Sequence, residues 1–199
     1  MIQPRVPDHI ETERLVLRPV READADALIA AIDESRAELT AWMAWAPSMR
    51  TIDDAREFCR RVATAWRGPD REDFMLGMFL RDGGRFLGGT GFHRAQWHIP
   101  SIEIGYWMRT SETGKGYVRE AVDGLTRVGF GQLGMRRMVI TCAATNDRSR
   151  RVAEACGYRL EGRLRNHDRL PNGDLRDTLV FSLIDTDDTV RRLLTGDAS

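Results

Sequence analysis

One segment of the chain has the residue types and spacing of an anion site. From Ile102 to Val122 the sequence reads IEIGYWMRTSETGKGYVREAV. Thr113-Gly114-Lys115-Gly116-Tyr117-Val118 stand where a strand-like stretch gives way to a helix-like one. A helix N-terminus presents unpaired N–H groups and roughly half a positive charge. Glycines remove Cβ atoms and let a ligand approach the backbone. Together these suit a diphosphate. Lys115 and Arg119 fall in the expected first helical turn, where cations are unfavourable by about 0.3–1 kcal/mol unless a bound anion reverses the sign. The alternative is a plain glycine loop with solvated cations. Two other phosphate signatures do not fit: Lys115 precedes the second glycine, so there is no G-x-x-x-x-G-K-[ST], and no G-x-G-x-x-G follows the first strand.

Elements must hold this loop in place. Arg14–Val20 alternates apolar and polar, a strand with Leu15 and Leu17 on one side. Ala27, Leu28, Ala31 and Ile32 repeat at three and four, which predicts a helix. Leu39, Trp42, Met43 and Trp45 follow, up to Pro47. Thr51 with Asp54 resembles a capping box for a helix to about Trp66, stopped by Gly68-Pro69. Phe74–Leu80 and Phe86–Phe92 read as strands joined at Asp82-Gly83-Gly84, and Ile102–Met108 as a third. After the glycine loop a helix carries Val118, Ala121, Val122, Leu125 and Val128 on one face. Arg137–Ala143 is a β-branched, central-type strand, and Asp147–Cys156 a short helix ended by Gly157. Two more strands flank Pro171-Asn172-Gly173-Asp174, and the polar last ten or so residues are expected to fray. The pattern is β, α, α, β, β, β, α, β, α, β, β: one α+β domain over 1–199, core about 10–186, with a mixed sheet and helices on both faces.

Lys+Arg and Asp+Glu are 30 each, so nothing favours non-specific binding to nucleic acid or to a membrane surface. Cys59, Cys142 and Cys156 are odd in number and lack ligand spacing; reduced, buried thiols and no metal are expected. The N-terminus has no apolar run and no stretch is long enough to span a membrane, so the cytoplasm is the expected compartment.

The glycine loop resembles motif A of the GNAT superfamily of N-acetyltransferases, Q/R-x-x-G-x-G/A, with Gly114 and Gly116 matching and Ser111 standing where the pattern has Gln or Arg. Thr12–Arg18 resembles the opening strand of the Rim-type, ribosomal-protein acetyltransferase branch, and Trp42-Met43-Ala44-Trp45-Ala46 its Trp-rich segment. Glu103–Met108 is similar to its fourth strand, and Asn146–Ser149 with Cys156-Gly157-Tyr158 to its second motif. Glu161-Gly162 and Asn172-Gly173-Asp174 with Asp177 complete a match over nearly the whole chain.

The resemblance implies the GNAT fold, with a mostly antiparallel, splayed sheet, and acetyl-CoA or another acyl-CoA as donor. The splay would grip the pantetheine arm through the backbone at Trp107, Met108 and Arg109, where an N–H stabilises the oxyanion. A primary amine must lose a proton before it attacks. Glu103, heading the strand to the ligand, is the base candidate; pairing with an Arg or binding substrate is its alternative role. His93, His98, His167 and Asp168 are weaker candidates. No tyrosine lies on the helix after Arg137–Ala143, and Tyr158 reads as core, so Ser149 is the acid candidate; a helix cap is its other reading. Asn146 bonds a pantetheine amide or caps the same helix, while Arg148, Arg150 and Arg151 read as a solvated face. Trp42 and Trp45 line the acceptor groove or lie buried under the helices. Three activities are consistent with this: acetylation of a protein N-terminal α-amine; acylation, acetyl or succinyl, of a small amine such as an amino acid, polyamine or antibiotic; or acyl-CoA binding without catalysis. A homodimer stays open.

Overall fold

The computed structural model describes residues 4–66 and 71–196; the helix stop expected at Gly68-Pro69 lies outside the described residues. Eight strands form one sheet: β1 (Ile10–Glu11), β2 (Leu15–Arg18), β3 (Phe74–Leu80), β4 (Phe86–Gln96), β5 (Ser101–Met108), β6 (Arg137–Ala143), β7 (Arg159–Arg169) and β8 (Leu175–Ile184). Their order is β1-β2-β3-β4-β5-β6-β8-β7, antiparallel throughout except for the β5–β6 pair. The helices are α1 (Ala25–Glu34), α2 (Arg36–Trp42), α3 (Ile52–Ala65), α4 (Tyr117–Gly131), α5 (Asp147–Ala155) and α6 (Asp188–Thr195).

Strand alternation divides the core in two. Leu15, Leu17, Leu76, Met78, Ile102 and Ile104 face α4, whereas Val20, Phe79 and Phe86 join Leu28, Ile32 and Val62 from α1 and α3. The expected capping box opens α3: the Thr51 hydroxyl accepts from the Asp54 N–H at 3.2 Å, and the Asp54 carboxylate from the Thr51 N–H at 2.8 Å.

Two expectations need correction. The polar C-terminal stretch does not fray over Asp188–Thr195 but forms α6, where Val190 is buried against α4. Its polarity belongs to an amphipathic helix, in which one buried apolar side chain per turn suffices. A short strand, β1, also precedes the first one expected.

The feature that shapes the site is the parallel pair. Strands β5 and β6 are in register only from Ser101–Glu103 against Arg137–Val139. Beyond this point β5 stays with β4 as far as Met108 and β6 stays with β8 as far as Ala143. The sheet therefore opens into a wedge.

Candidate active site

The glycine loop lies at the wedge, as the start of α4. Gly114 and Gly116 adopt φ of +78° and +82°, a region costly for residues with a Cβ. A Cβ on Gly114 would meet nothing within 4 Å, and one on Gly116 would come 3.4 Å from the Arg14 guanidinium. The N–H of Glu120 is the first in the helix to bond back, to the Gly116 carbonyl at 3.1 Å. The N–H groups of the turn before it point out along the helix axis.

Two members of the loop, Thr113 and Lys115, differ from expectation. The Thr113 N–H and hydroxyl both donate to the Thr110 carbonyl, at 3.2 and 2.9 Å, so Thr113 spends its donors on a local turn. Lys115 precedes the helix, which begins at Tyr117, and its ammonium pairs at 2.8 Å with Glu112. Glu112 is buried and also holds Arg85 at 2.9 Å. The Val118 side chain packs against the core.

Arg14, which motif reading did not single out, braces the loop from behind. Its guanidinium donates to the Lys115 carbonyl at 3.1 Å, sits 4.6 Å from the Tyr117 ring centroid and pairs with Glu120 at 2.6 Å. Glu120 also accepts from the Thr12 hydroxyl at 2.6 Å.

The backbone roles along β5 also shift. The Arg109 N–H donates to the Leu87 carbonyl at 2.8 Å. Antiparallel alternation then turns the Trp107 backbone toward β4 and the Tyr106 and Met108 backbones toward the wedge. Of the three backbones expected to serve the ligand, that of Met108 is turned away from β4, and those of Trp107 and Arg109 are turned to it. The Arg109 guanidinium instead bonds Glu34 at the end of α1, and the Ser111 N–H reaches the same carboxylate at 2.8 Å. The Arg109 and Ser111 hydrogen bonds hold the Glu34 carboxyl down to about 2.

A cavity of about 440 Å³ runs from the wedge to the space under α1–α3. It brings together Trp42, Trp45, His93, Glu103, Trp107, Asn146 and Ser149, which the sequence scatters over a hundred positions. Glu103 is not in apolar surroundings. One carboxylate oxygen accepts from the Thr141 hydroxyl at 2.5 Å and the other pairs with Arg94 at 2.9 Å. The Arg94 side chain is 72 % exposed and reaches Glu103 from a left-handed backbone position, φ +51°. His93 bonds Asp73 at 3.1 Å, and its ring lies against Gly105, where a Cβ would come within 2.9 Å. His98 is exposed in a turn, His167 meets the Thr178 hydroxyl at 3.3 Å, and Asp168 pairs with Arg176 of the cavity wall.

Asn146 caps α5: its carbonyl oxygen accepts from the Ser149 N–H at 3.1 Å. The Ser149 side chain is free of that duty and meets Tyr106, the other residue that motif reading missed. The Tyr106 hydroxyl donates to the Ser149 carbonyl at 3.1 Å and shares a hydrogen bond with Ser149 Oγ at 3.0 Å. Burial pushes the Tyr106 phenol above its usual range and keeps it neutral. A tyrosine on the face of β5 that buries Ile102 and Ile104 was the available sign that its hydroxyl needs a partner. Tyr158 is core, bonded to Thr126 at 3.0 Å. All three cysteines are buried and free. Among the described residues no cluster of His, Cys, Asp or Glu could hold a metal ion, and no helix is long and apolar enough to cross a membrane.

Comparison with known proteins agrees with this geometry. Residues 14–159 match the sequence model of the acetyltransferase (GNAT) domain. An N-acetyltransferase of Bacillus subtilis, YoaA, itself uncharacterised, is 28 % identical over 88 % of this chain and 96 % of its own. The ribosomal-protein-serine acetyltransferase of Escherichia coli is 29 % identical over 80 % of this chain and 87 % of its own. Among solved structures, RimL, a ribosomal-protein α-N-acetyltransferase bound to coenzyme A, superposes with a TM-score of 0.78 at 25 % identity, covering 90 % of this chain and 99 % of that one. The self-immunity acetyltransferase MccE, bound to acetyl-CoA and AMP, has the same fold, with a TM-score of 0.81 at 24 % identity over 91 % of this chain and 98 % of its own. With the family match spanning most of its length, the chain belongs to the GNAT acetyltransferase family.

Proposed function

We propose that the protein, as a single domain, transfers an acetyl group from acetyl-CoA to the α-amine at a protein N-terminus. The observation that carries this reading is the wedge between β5 and β6, which opens onto the bare Gly114–Gly116 turn on one side and the cavity with Glu103 and Ser149 on the other. The outward N–H groups of Gly114, Lys115, Gly116, Tyr117 and Val118 suit a diphosphate, and the backbones of Tyr106 and Met108 suit the amides of a pantetheine arm.

In the reaction the amine nitrogen bonds to the thioester carbon, and the carbon–sulfur bond then breaks. An N–H of the wedge, from Tyr106 or Met108, meets the oxyanion. Glu103 receives the proton of the ammonium; its Arg94 partner is mostly in solvent and can swing away as the acceptor arrives. An α-ammonium, with a pKa near 8, gives up that proton more readily at neutral pH than a lysine ammonium near 10.4. The departing sulfur takes the Ser149 Oγ–H proton, and Ser149 recovers one from the nitrogen of the tetrahedral intermediate, so that it ends neutral; Tyr106 holds Ser149 in place through its contact with Oγ. Trp42, Trp45 and His93 contact the acceptor. The names of the Rim-type relatives support a protein acceptor.

Incubating the protein with radiolabelled acetyl-CoA and a cell lysate, resolved by size, tests the acceptor. Label in polypeptides is expected. Label confined to small molecules would move the reading to a small-amine acyltransferase, and no transfer beside retained coenzyme binding would leave a binding domain.

A further inference from the structure

The cavity has two chemically different ends. At the wedge it is lined by Glu103, Thr141, Asn146, Ser149 and Arg176. Under the helices it is lined by Leu28, Ile32, Trp42, Phe58, Phe86 and other apolar side chains. Trp45 and Trp107, with ring centroids 5.7 Å apart, also line it. The sheet floor is kept bare for these rings: a Cβ on Gly89 would come within 2.4 Å of the Trp107 indole nitrogen.

Charge narrows the choice further. Among the described residues Glu103 is the one carboxylate lining the cavity, bonded to Arg94 and Thr141; Arg61 also lines it, as does Arg176, which is paired with Asp168. With Glu103 taking the reacting amine, the further charges of a polycationic acceptor would find no second carboxylate among the described residues of the lining. A small polar residue beside the amine would leave the apolar end unfilled, whereas apolar pockets of this size take apolar groups.

We infer that the acceptor carries a bulky apolar group next to its amine, so that an N-terminal Phe, Leu or Met is preferred over Ser, Ala or Gly. This rests on the proposed transfer to an α-amine. The amine would sit at Glu103 while the side chain passes Trp45 into the space under α1–α3. A hydrophobic pocket discriminates by about 10–200-fold per methylene at best, so a preference of roughly tenfold or more is expected over a whole side chain.

The test is thiol release from acetyl-CoA with peptides that differ only in the first residue: Ser, Ala, Leu, Met or Phe. The expected result is a kcat/KM at least about tenfold higher for the large apolar residues. In Trp45→Ala that preference narrows while acetyl-CoA still raises the melting temperature, because Trp45 lies outside the loop. Equal or better turnover of Ser or Ala peptides overturns the inference and leaves the proposed function standing. If no peptide reacts, the acceptor class of the proposed function fails, and the size preference is then read on phenethylamine against ethanolamine. Turnover of neither amine overturns both.

Discussion

At the scale of single residues, the proposed chemistry rests on two contacts between side chains distant in sequence. Ser149 meets Tyr106 across 43 positions, and Glu103 meets Thr141 across 38. Ser149→Ala is expected to lower kcat by about 10²–10⁴, as for other lost proton donors, with the KM for acetyl-CoA little changed. Tyr106→Phe removes only the orienting bonds, so a smaller loss is expected in the same parameter. Pre-steady-state and steady-state kinetics on both variants check this; full activity of Ser149→Ala would leave Ser149 with a purely structural place in α5. Both candidates came from the sequence, Ser149 because it matches the serine of an Asn-x-x-Ser element and Glu103 because it heads the strand that leads to the ligand. The tyrosine beside Ser149, the threonine beside Glu103 and the arginine behind the glycine loop were not legible there, because side-chain contacts over such separations depend on sheet order.

At the scale of elements, the glycine loop was legible because its cause is local: two glycines and the beginning of a helix. Its anchoring was not. The loop is entered through Arg109 and Ser111, and both are tied to Glu34 at the end of α1. That carboxyl is held at about 2, below the ordinary 4.5, first by Arg109 and then by Ser111. A depressed carboxyl contributes stability in full above its unfolded value and loses it as pH falls toward its folded value. The contribution of Glu34 should therefore be constant at neutral pH and fade between about pH 4.5 and 2. Urea unfolding of Glu34→Gln beside the parent checks it: a destabilisation at pH 7 that shrinks by pH 2–3 is expected, and one independent of pH would contradict the assigned ion pair. Strands and helices were otherwise read from their periods, since alternation and three–four repeats follow from backbone geometry. The last helix escaped because a mostly polar octet gives too little apolar signal to stand out from a tail.

At the scale of the whole molecule, the sheet separates two approaches to one reaction centre. In the proposed reaction the donor's phosphates would be met at the start of α4 and the acceptor under α1–α3, with the wedge between β5 and β6 joining them. Since α6 packs on α4, the terminal helix supports the element that carries the phosphate loop. Val190→Asp puts a charge into a site where the native side chain is 1 % exposed, and a cost of several kcal/mol is expected, seen as a lowered melting temperature. An unchanged melting temperature would mean that α6 does not dock.

The most direct measurement is the thermal shift produced by acetyl-CoA in the parent and in Gly116→Glu. Ligand at a hundred times its Kd stabilises by about 2.7 kcal/mol, or roughly 5–10 °C for a chain of this size. That rise is expected in the parent. It should vanish in Gly116→Glu, where a carboxylate enters the turn beside Arg14 and repels the diphosphate. An undiminished rise in the variant would show that the coenzyme's phosphates lie elsewhere.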